Sequence, residues 1–277
     1  MTSWFRQLHW REYAIEGWAL GCFMLSACIF GALIFHPASP VRSVIGSPWM
    51  QRAAMGTLMG LTLVALVYSP WGRRSGAQMN PAFTLTFLRL GKISPADATG
   101  YIVAQFAGGA LGVWLAARML GPALADPSVN YVVTRPGGAG VIGAFVGECG
   151  ISMVQMLLVL TVAGSARWAR FTGIVAALAV ATYITFESPI SGMSMNPARS
   201  VASAVAAGEW EAIWIYFAAP LLGMGFAAWV YIRSHAVAAA PCGKMVHALP
   251  CIFCDYVELR GRIDPVQSAA PATDRTV

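Results

Sequence analysis

The tripeptide Asn-Pro-Ala occurs twice in this chain, once in each half. The copies lie in the matching strings SGAQMNPAFTL and SGMSMNPARSV, and they comprise Asn80, Pro81 and Ala82 and then Asn196, Pro197 and Ala198. Asn is a preferred N-cap and Pro a preferred first helical residue, so each copy predicts the start of a helix. The Asn side-chain oxygen then accepts a backbone N–H, while its NH2 group remains available as a hydrogen-bond donor. The matching strings indicate an internal repeat.

The elements that position these tripeptides are apolar. Of 277 residues, 57% are hydrophobic and 11% are charged, whereas soluble domains carry about 25% charged residues. Six runs are long enough to span a bilayer, which needs about 20 residues: roughly 13–35, 51–69, 97–120, 141–163, 171–187 and 211–233. Two shorter runs, roughly 81–90 and 197–207, follow the tripeptides. The sequence therefore predicts an all-α polytopic membrane protein with six transmembrane helices and two re-entrant half-helices.

The basic residues predict the orientation. Most of the 18 lysines and arginines fall on the side of the N-terminus, as the positive-inside rule requires of a cytoplasmic face. We therefore attribute the net charge of +6 to basic residues that set the orientation in the membrane, and not to nucleic-acid binding. We expect a multi-pass protein of the inner cell membrane with both termini cytoplasmic. Its two halves, about 13–120 and 141–235, form an inverted repeat within a channel domain 13–235, flanked by segments 1–12 and 236–277.

The inverted repeat predicts a function. Two half-helix N-termini that meet at the mid-plane carry partial positive charge, and their Asn donors are tolerable there only beside a water-filled path. Such a centre repels cations and orients water so that a proton wire is interrupted. Arg199 follows the second copy, where the first has Phe83. An interfacial role would explain this Arg, but the repeat favours a role in the pore.

At this point the chain resembles the aquaporin, or major intrinsic protein, family of bacterial type. The matching strings are SGAQMNPAFTLTFLRLGKIS, YIVAQFAGGALG, SPISGMSMNPARSVASAV and WIYFAAPLLG. The resemblance implies six helices with two half-helices, one pore per protomer, and a homotetramer in membrane lipid. It also implies structural, buried polar roles for Glu16, Glu148 and Gln105.

The resemblance further implies a selectivity filter at four positions. These are Arg199, Met193, Ile184 and either Met59 or Gly60, between which the sequence does not choose. Strict water channels of the family usually have His where this chain has Ile184, which predicts a broader filter. The scaffold residues Ser200 and Ala204 follow the water-channel pattern instead. We therefore expect a passive channel for water and possible additional neutral solutes; the alternative is a glycerol or urea facilitator with little water selectivity.

The C-terminal segment carries four soft ligands in the spacing C-x4-H-x3-C-x2-C, namely Cys242, His247, Cys251 and Cys254. This set could bind zinc, although the spacing is not that of a standard finger and reduced cytoplasmic cysteines would also explain it. Apart from this set, the sequence shows no catalytic constellation, so an enzyme is not expected. Two other classes stay open, a secondary transporter and a structural membrane protein with a closed pore.

Overall fold

The computed structural model describes residues 8–234 and 241–263, and all regular elements in these ranges are helical. In chain order the α-helices are α1 (Trp10–Phe35), α2 (Pro40–Ile45), α3 (Pro48–Tyr68), α4 (Pro70–Ser75), α5 (Pro81–Arg89), α6 (Pro95–Leu120), α7 (Pro122–Ala125), α8 (Gly140–Ala163), α9 (Thr172–Phe186), α10 (Ser188–Ser191), α11 (Pro197–Ala207), α12 (Ile215–Ser234) and α13 (Ile252–Ile263). Two 3-10 turns, Asn130–Val132 and Ala169–Phe171, precede α8 and α9.

Among the described helices, six are long and apolar enough to cross a membrane: α1, α3, α6, α8, α12, and α9 with the 3-10 turn before it. This confirms the predicted six-span, all-α membrane fold. Two spans begin before their apolar runs because a serine caps each of them. The hydroxyl of Ser47 accepts from Met50 N at 3.2 Å, and that of Ser94 accepts from Asp97 N at 3.0 Å.

Two predicted boundaries differ from the structure. Helix α1 begins at Trp10, three residues before the apolar run predicted from about residue 13. The acidic Glu12 in its first turn is favoured near the positive end of the helix dipole. The last span begins at Ile215 rather than near residue 211, because Ala212 has a left-handed φ of +51° that a right-handed helix cannot include.

The half-helices α5 and α11 contain 9 and 11 residues. At about 1.5 Å per residue the two together measure about 30 Å, the thickness of a bilayer's hydrocarbon core. Both pack against α6 and α12. Neither could span alone, so the pair acts as one interrupted helix with its break at the two Asn-Pro-Ala copies.

Small residues let the long helices cross closely, as membrane helices often require. A Cβ on Gly108 would lie 1.9 Å from the carbonyl oxygen of Gly17, and one on Gly112 would lie 2.2 Å from that of Gly21. These glycines join α1 to α6. In the second half, α8 packs against α12 in the same way, where a Cβ on Gly223 would lie 2.4 Å from Cys149 O.

Candidate functional site

The segments that precede the two Asn-Pro-Ala copies share an unusual backbone. In the first, Ala77 and Met79 have φ of +53° and +48°; in the second, Met193 and Met195 have +49° and +55°. A residue with a side chain seldom adopts positive φ, and each such residue costs roughly 1–3 kcal/mol. The surrounding structure must therefore hold both segments in place.

Glu16 holds the first segment. Its Oε1 accepts from Ser75 Oγ at 2.8 Å and from Gln78 N at 3.1 Å, and its Oε2 accepts from Met79 N at 2.6 Å and from Gln105 Nε2 at 3.0 Å. The carboxylate is completely buried. It supplies acceptors to backbone N–H groups that could not find water inside a membrane. Glu16 and Gln105 are thus bonded to each other beside the first segment, and their structural role stays a prediction.

Glu148 holds the second segment in the same manner. Its Oε1 accepts from Ser191 Oγ at 2.9 Å and from Ser194 N at 2.6 Å, while its Oε2 accepts from Met195 N at 2.7 Å. A tyrosine hydroxyl also binds a serine carbonyl in each half. In the second half, Tyr216 donates to Ser191 O at 2.5 Å. In the first half, the hydroxyl of Tyr101 donates to Ser75 O at 2.7 Å.

Each Asn caps its own half-helix. Asn80 Oδ1 accepts from Ala82 N at 2.9 Å, and Asn196 Oδ1 accepts from Ala198 N at 3.1 Å and from Arg199 N at 3.3 Å. Both prolines occupy the first helical position. This is the capping arrangement that the tripeptides predicted.

The two Asn amides also tie the halves to each other. Asn80 Nδ2 donates to Met195 O, and Asn196 Nδ2 donates to Met79 O, each at 2.7 Å. The tripeptides alone predict two NH2 groups that are available as donors, and they do not predict this reciprocal tie. A primary amide has two N–H bonds, so each Asn keeps one donor beyond the tie.

Both Asn side chains line a cavity of about 140 Å³, which is large enough for several waters. Of the predicted filter positions, the cavity is lined by Met59, Ile184, Met193 and Arg199. Gly60 does not line it and instead packs against α9, where an added Cβ would lie 3.1 Å from Ala177 O. The structure therefore brings Met59, and not Gly60, together with the other three.

Arg199 is the cation at this cavity. Its Nη1 atom is buried and has no hydrogen-bond partner within residues 8–234 and 241–263. An unpaired buried donor of a charged group is costly.

The C-terminal segment contributes a feature that the sequence did not reveal. Residues 241–263 are described, and Met245 lines the same cavity as the Asn pair. Met245 N donates to Gly76 O at 3.1 Å, and Gln78 Nε2 donates to Gly243 O at 2.9 Å. No sequence signal marks Met245, because its role depends on a contact between residues far apart in the chain.

The four soft ligands of this segment are brought together. His247 Nε2 lies 3.2 Å from Cys254 Sγ, and Cys251 Sγ lies 4.0 Å from Cys242 Sγ. All four ligand atoms lie within 4.8 Å of one another. Burial lowers the pKa of the adjacent Lys92, and the sulfurs of Cys242 and Cys254 act on it in the opposite direction.

Comparisons with known proteins agree with this architecture. The model of the major intrinsic protein family matches residues 7–231. Probable aquaporin NIP7-1 of Arabidopsis thaliana is 32% identical over 212 residues, 74% of each chain. Nodulin-26 of Glycine max is 35% identical over 173 residues, 62% of each chain. Aquaporin NIP1-3 of Oryza sativa subsp. japonica is 34% identical over 176 residues, 62% of this chain and 58% of the rice protein.

The matches to the soybean and rice proteins thus span less than two thirds of those relatives' own length. In structure, the chain is similar to the aquaglyceroporin from Plasmodium falciparum, with a TM-score of 0.65 over 83% of this chain and 98% of that one. At 17% identity this likeness supports the fold alone. Taken with the family match over most of its length, the chain belongs to the major intrinsic protein family, a family of membrane channels and not of enzymes.

Proposed function

We propose that this chain is a passive channel that conducts water and small neutral solutes and excludes ions and protons. One observation carries the proposal: a single cavity is lined by both cross-tied Asn residues and by Arg199. These groups all donate hydrogen bonds. They therefore favour a solute that presents an oxygen lone pair over a cation.

The Asn pair is the proposed centre of selection. The N–H that each amide retains beyond its tie donates to a passing water oxygen, so the hydrogens of that water point away along the pore. Two helix N-termini add roughly half a positive charge each at the same level. A cation loses its hydration there and gains only repulsion, whereas a neutral hydroxyl exchanges one hydrogen bond for another.

The proposed filter is polar on one side and apolar on the other. Arg199 supplies the donors, and Met59, Ile184 and Met193 supply the apolar wall. These apolar side chains contact the carbon atoms of a solute without hindering water. We therefore include small neutral solutes of glycerol or urea type among the substrates.

Stopped-flow light scattering on proteoliposomes tests this proposal. Vesicles containing the full chain should shrink faster than empty vesicles in a sucrose gradient, and in a glycerol gradient they should shrink and then re-swell. Equal rates in protein-containing and empty vesicles would reject the channel. Fast shrinkage without re-swelling would restrict the channel to water, and re-swelling without fast shrinkage would favour the facilitator with little water selectivity.

We also propose that the protein is a homotetramer in the inner cell membrane with both termini cytoplasmic. Apolar side chains exposed on the spans, such as Leu61, Leu178 and Leu222, suit contact with lipid or with neighbouring protomers. Native mass spectrometry from detergent would report the oligomer, and a monomer would reject it. Protease digestion of sealed, right-side-out vesicles should leave residues 241–263 intact; cleavage there would place the C-terminus outside.

A further inference from the structure

The C-terminal segment is docked at one mouth of the cavity, against the loop that precedes the first Asn-Pro-Ala copy. Besides its bonds to Gly76 and Gln78, it is anchored by Lys244, whose Nζ donates to Arg73 O at 3.0 Å. Lys244 is only 2% exposed. Phe253, which is completely buried, lies edge-on to Tyr101 with ring centroids 5.9 Å apart. These contacts make residues 241–254, called here the plug, part of the folded channel.

The plug places one side chain in the permeation path. Met245 is 7% exposed, and the space that it borders is the cavity shared with Gln78, Met79 and Phe83. A thioether offers no useful hydrogen bond to water. Met245 thus narrows this mouth and makes it apolar, at the end of the cavity that lacks an Arg199.

The ligand atoms of the plug already have the spacing of a tetrahedral metal site. In a zinc site with Zn–S of about 2.3 Å and Zn–N of about 2.0–2.1 Å, neighbouring ligands are about 3.5–3.8 Å apart. The observed separations are 3.2 Å for His247–Cys254 and 4.0 Å for Cys242–Cys251, and no pair exceeds 4.8 Å. Small side-chain rotations would close the remaining differences.

The loop between the ligands is held in place by Lys244. Its Nζ donates to Ala248 O and Pro250 O, both at 2.8 Å, in addition to Arg73 O. The ammonium therefore fixes the curve of the chain between Cys242 and Cys251. His247 is exposed, which leaves an approach from solvent for an ion.

The ligand atoms of the four residues favour one kind of metal ion. Three thiolates and one imidazole are typical of tetrahedral structural zinc, whereas hard ions such as Mg²⁺ and Ca²⁺ prefer oxygen. Each thiol that becomes a ligand releases its proton to solvent. The three thiolates with Zn²⁺ then carry one net negative charge, next to the ammonium groups of Lys92 and Lys244.

We propose that Zn²⁺ bound by Cys242, His247, Cys251 and Cys254 locks the plug in the mouth of the channel and so lowers its permeability. The metal site stands on the ligand geometry alone. The gating half of the proposal rests on the channel function proposed above, and the two are tested by separate readouts.

Metal binding is tested without any flux measurement. Reduced, full-length protein is titrated with Co²⁺, followed by displacement with Zn²⁺. We expect one cobalt per chain, with thiolate charge-transfer and tetrahedral d–d absorption bands, and at least a tenfold weaker affinity in Cys251→Ser and His247→Ala. Cys149→Ser, in α8, is the matched control and should bind as the wild type does. Absent bands, or equal binding by all these variants, would overturn the site.

Gating is tested on the same protein in liposomes, with zinc or a chelator on both sides of the membrane. Chelation should raise the wild-type shrinkage rate severalfold and leave Cys251→Ser unchanged at the higher rate. Met245→Ala should keep its cobalt spectrum yet remain fast in zinc. If the protein binds zinc but its shrinkage rate does not depend on zinc, the gating proposal is overturned and the metal site is not.

Two further outcomes separate the possible failures. If no variant exceeds empty vesicles, the channel function and with it the gate fail, while the cobalt titration still decides the metal site. If permeability follows reductant rather than chelator and no metal binds, a Cys242–Cys251 disulfide replaces the zinc proposal.

Discussion

The two halves of the molecule are nearly identical at their centre and differ at their ends. Glu16 and Glu148 each hold a strained segment by accepting from a serine hydroxyl and two successive backbone N–H groups. Asn80 and Asn196 each donate to the opposite segment at 2.7 Å. The centre is built from reciprocal bonds, so a change in one half without the other would break a pair.

The ends are free of that constraint. Beyond the Asn pair, one end of the cavity has the guanidinium of Arg199, where the other half has Phe83, and the other end has Met245 from the C-terminal segment. One end is cationic and the other apolar. The tie between the halves is thus the duplicated part of the site, and we propose that solute choice and control belong to the unmatched residues.

The largest expected effect comes from removing either central carboxylate. Glu16→Ala and Glu148→Ala each leave several buried donors without an acceptor, at about 1–3 kcal/mol per group. We expect a loss of at least about 3 kcal/mol in each case, seen as reduced yield and a lower unfolding midpoint in detergent.

Glu209→Ala, at a partly exposed residue paired with Arg135 at 3.4 Å, is the control and should change the midpoint little. A much smaller loss in one carboxylate variant than in the other would show that the halves are not equivalent.

The next effect concerns the cationic end. Arg199→Val removes the positive charge of a residue that lines the cavity. Proton and cation leakage should therefore rise about tenfold or more, which corresponds to a barrier lowered by about 1.4 kcal/mol. Leakage is measured with a pH-sensitive dye inside proteoliposomes.

Arg135→Val is the matched control, because Arg135 is half exposed and pairs with Glu209 outside the cavity lining. A leak that stays at the wild-type level in Arg199→Val would remove Arg199 from the barrier and would leave ion exclusion to the Asn pair.

A smaller effect is expected at the apolar wall. Ile184→His adds a hydrogen-bonding ring beside Arg199, which should lower glycerol permeability severalfold relative to water. The ratio of re-swelling to shrinkage rates measures this change. Ile190→His, at a position outside the cavity lining, should leave the ratio unaltered; an equal shift in both variants would point to a general distortion.

The smallest effect distinguishes two neighbouring residues. Met59→Ala widens the cavity and should raise glycerol permeability by about twofold, a barrier change of only about 0.4 kcal/mol. Gly60→Ala adds a methyl group 3.1 Å from Ala177 O and should alter stability slightly while leaving selectivity unchanged. If Gly60→Ala changed glycerol permeability and Met59→Ala did not, the filter position would be assigned to Gly60.

Much of the fold could be predicted from the chain because it depends on local signals. Apolar runs of span length predicted the six helices, and Asn-Pro predicted the two capped half-helices; both are present. The boundary near residue 211 was wrong, because the left-handed φ of Ala212 is a turn feature that hydropathy does not record. The roles of the filter residues stay predictions, although the structure places four of them around one cavity.

The sequence by itself determined the class of the molecule, because span length and a duplicated helix cap are properties of short segments. Only the tertiary structure decided the contacts between distant segments. It showed that the two Asn amides bind each other's loops, that Met59 rather than Gly60 faces the cavity, and that Met245 reaches the cavity from the C-terminal segment. Each of these depends on where a side chain points once distant segments have packed together, which spacing along the chain cannot specify.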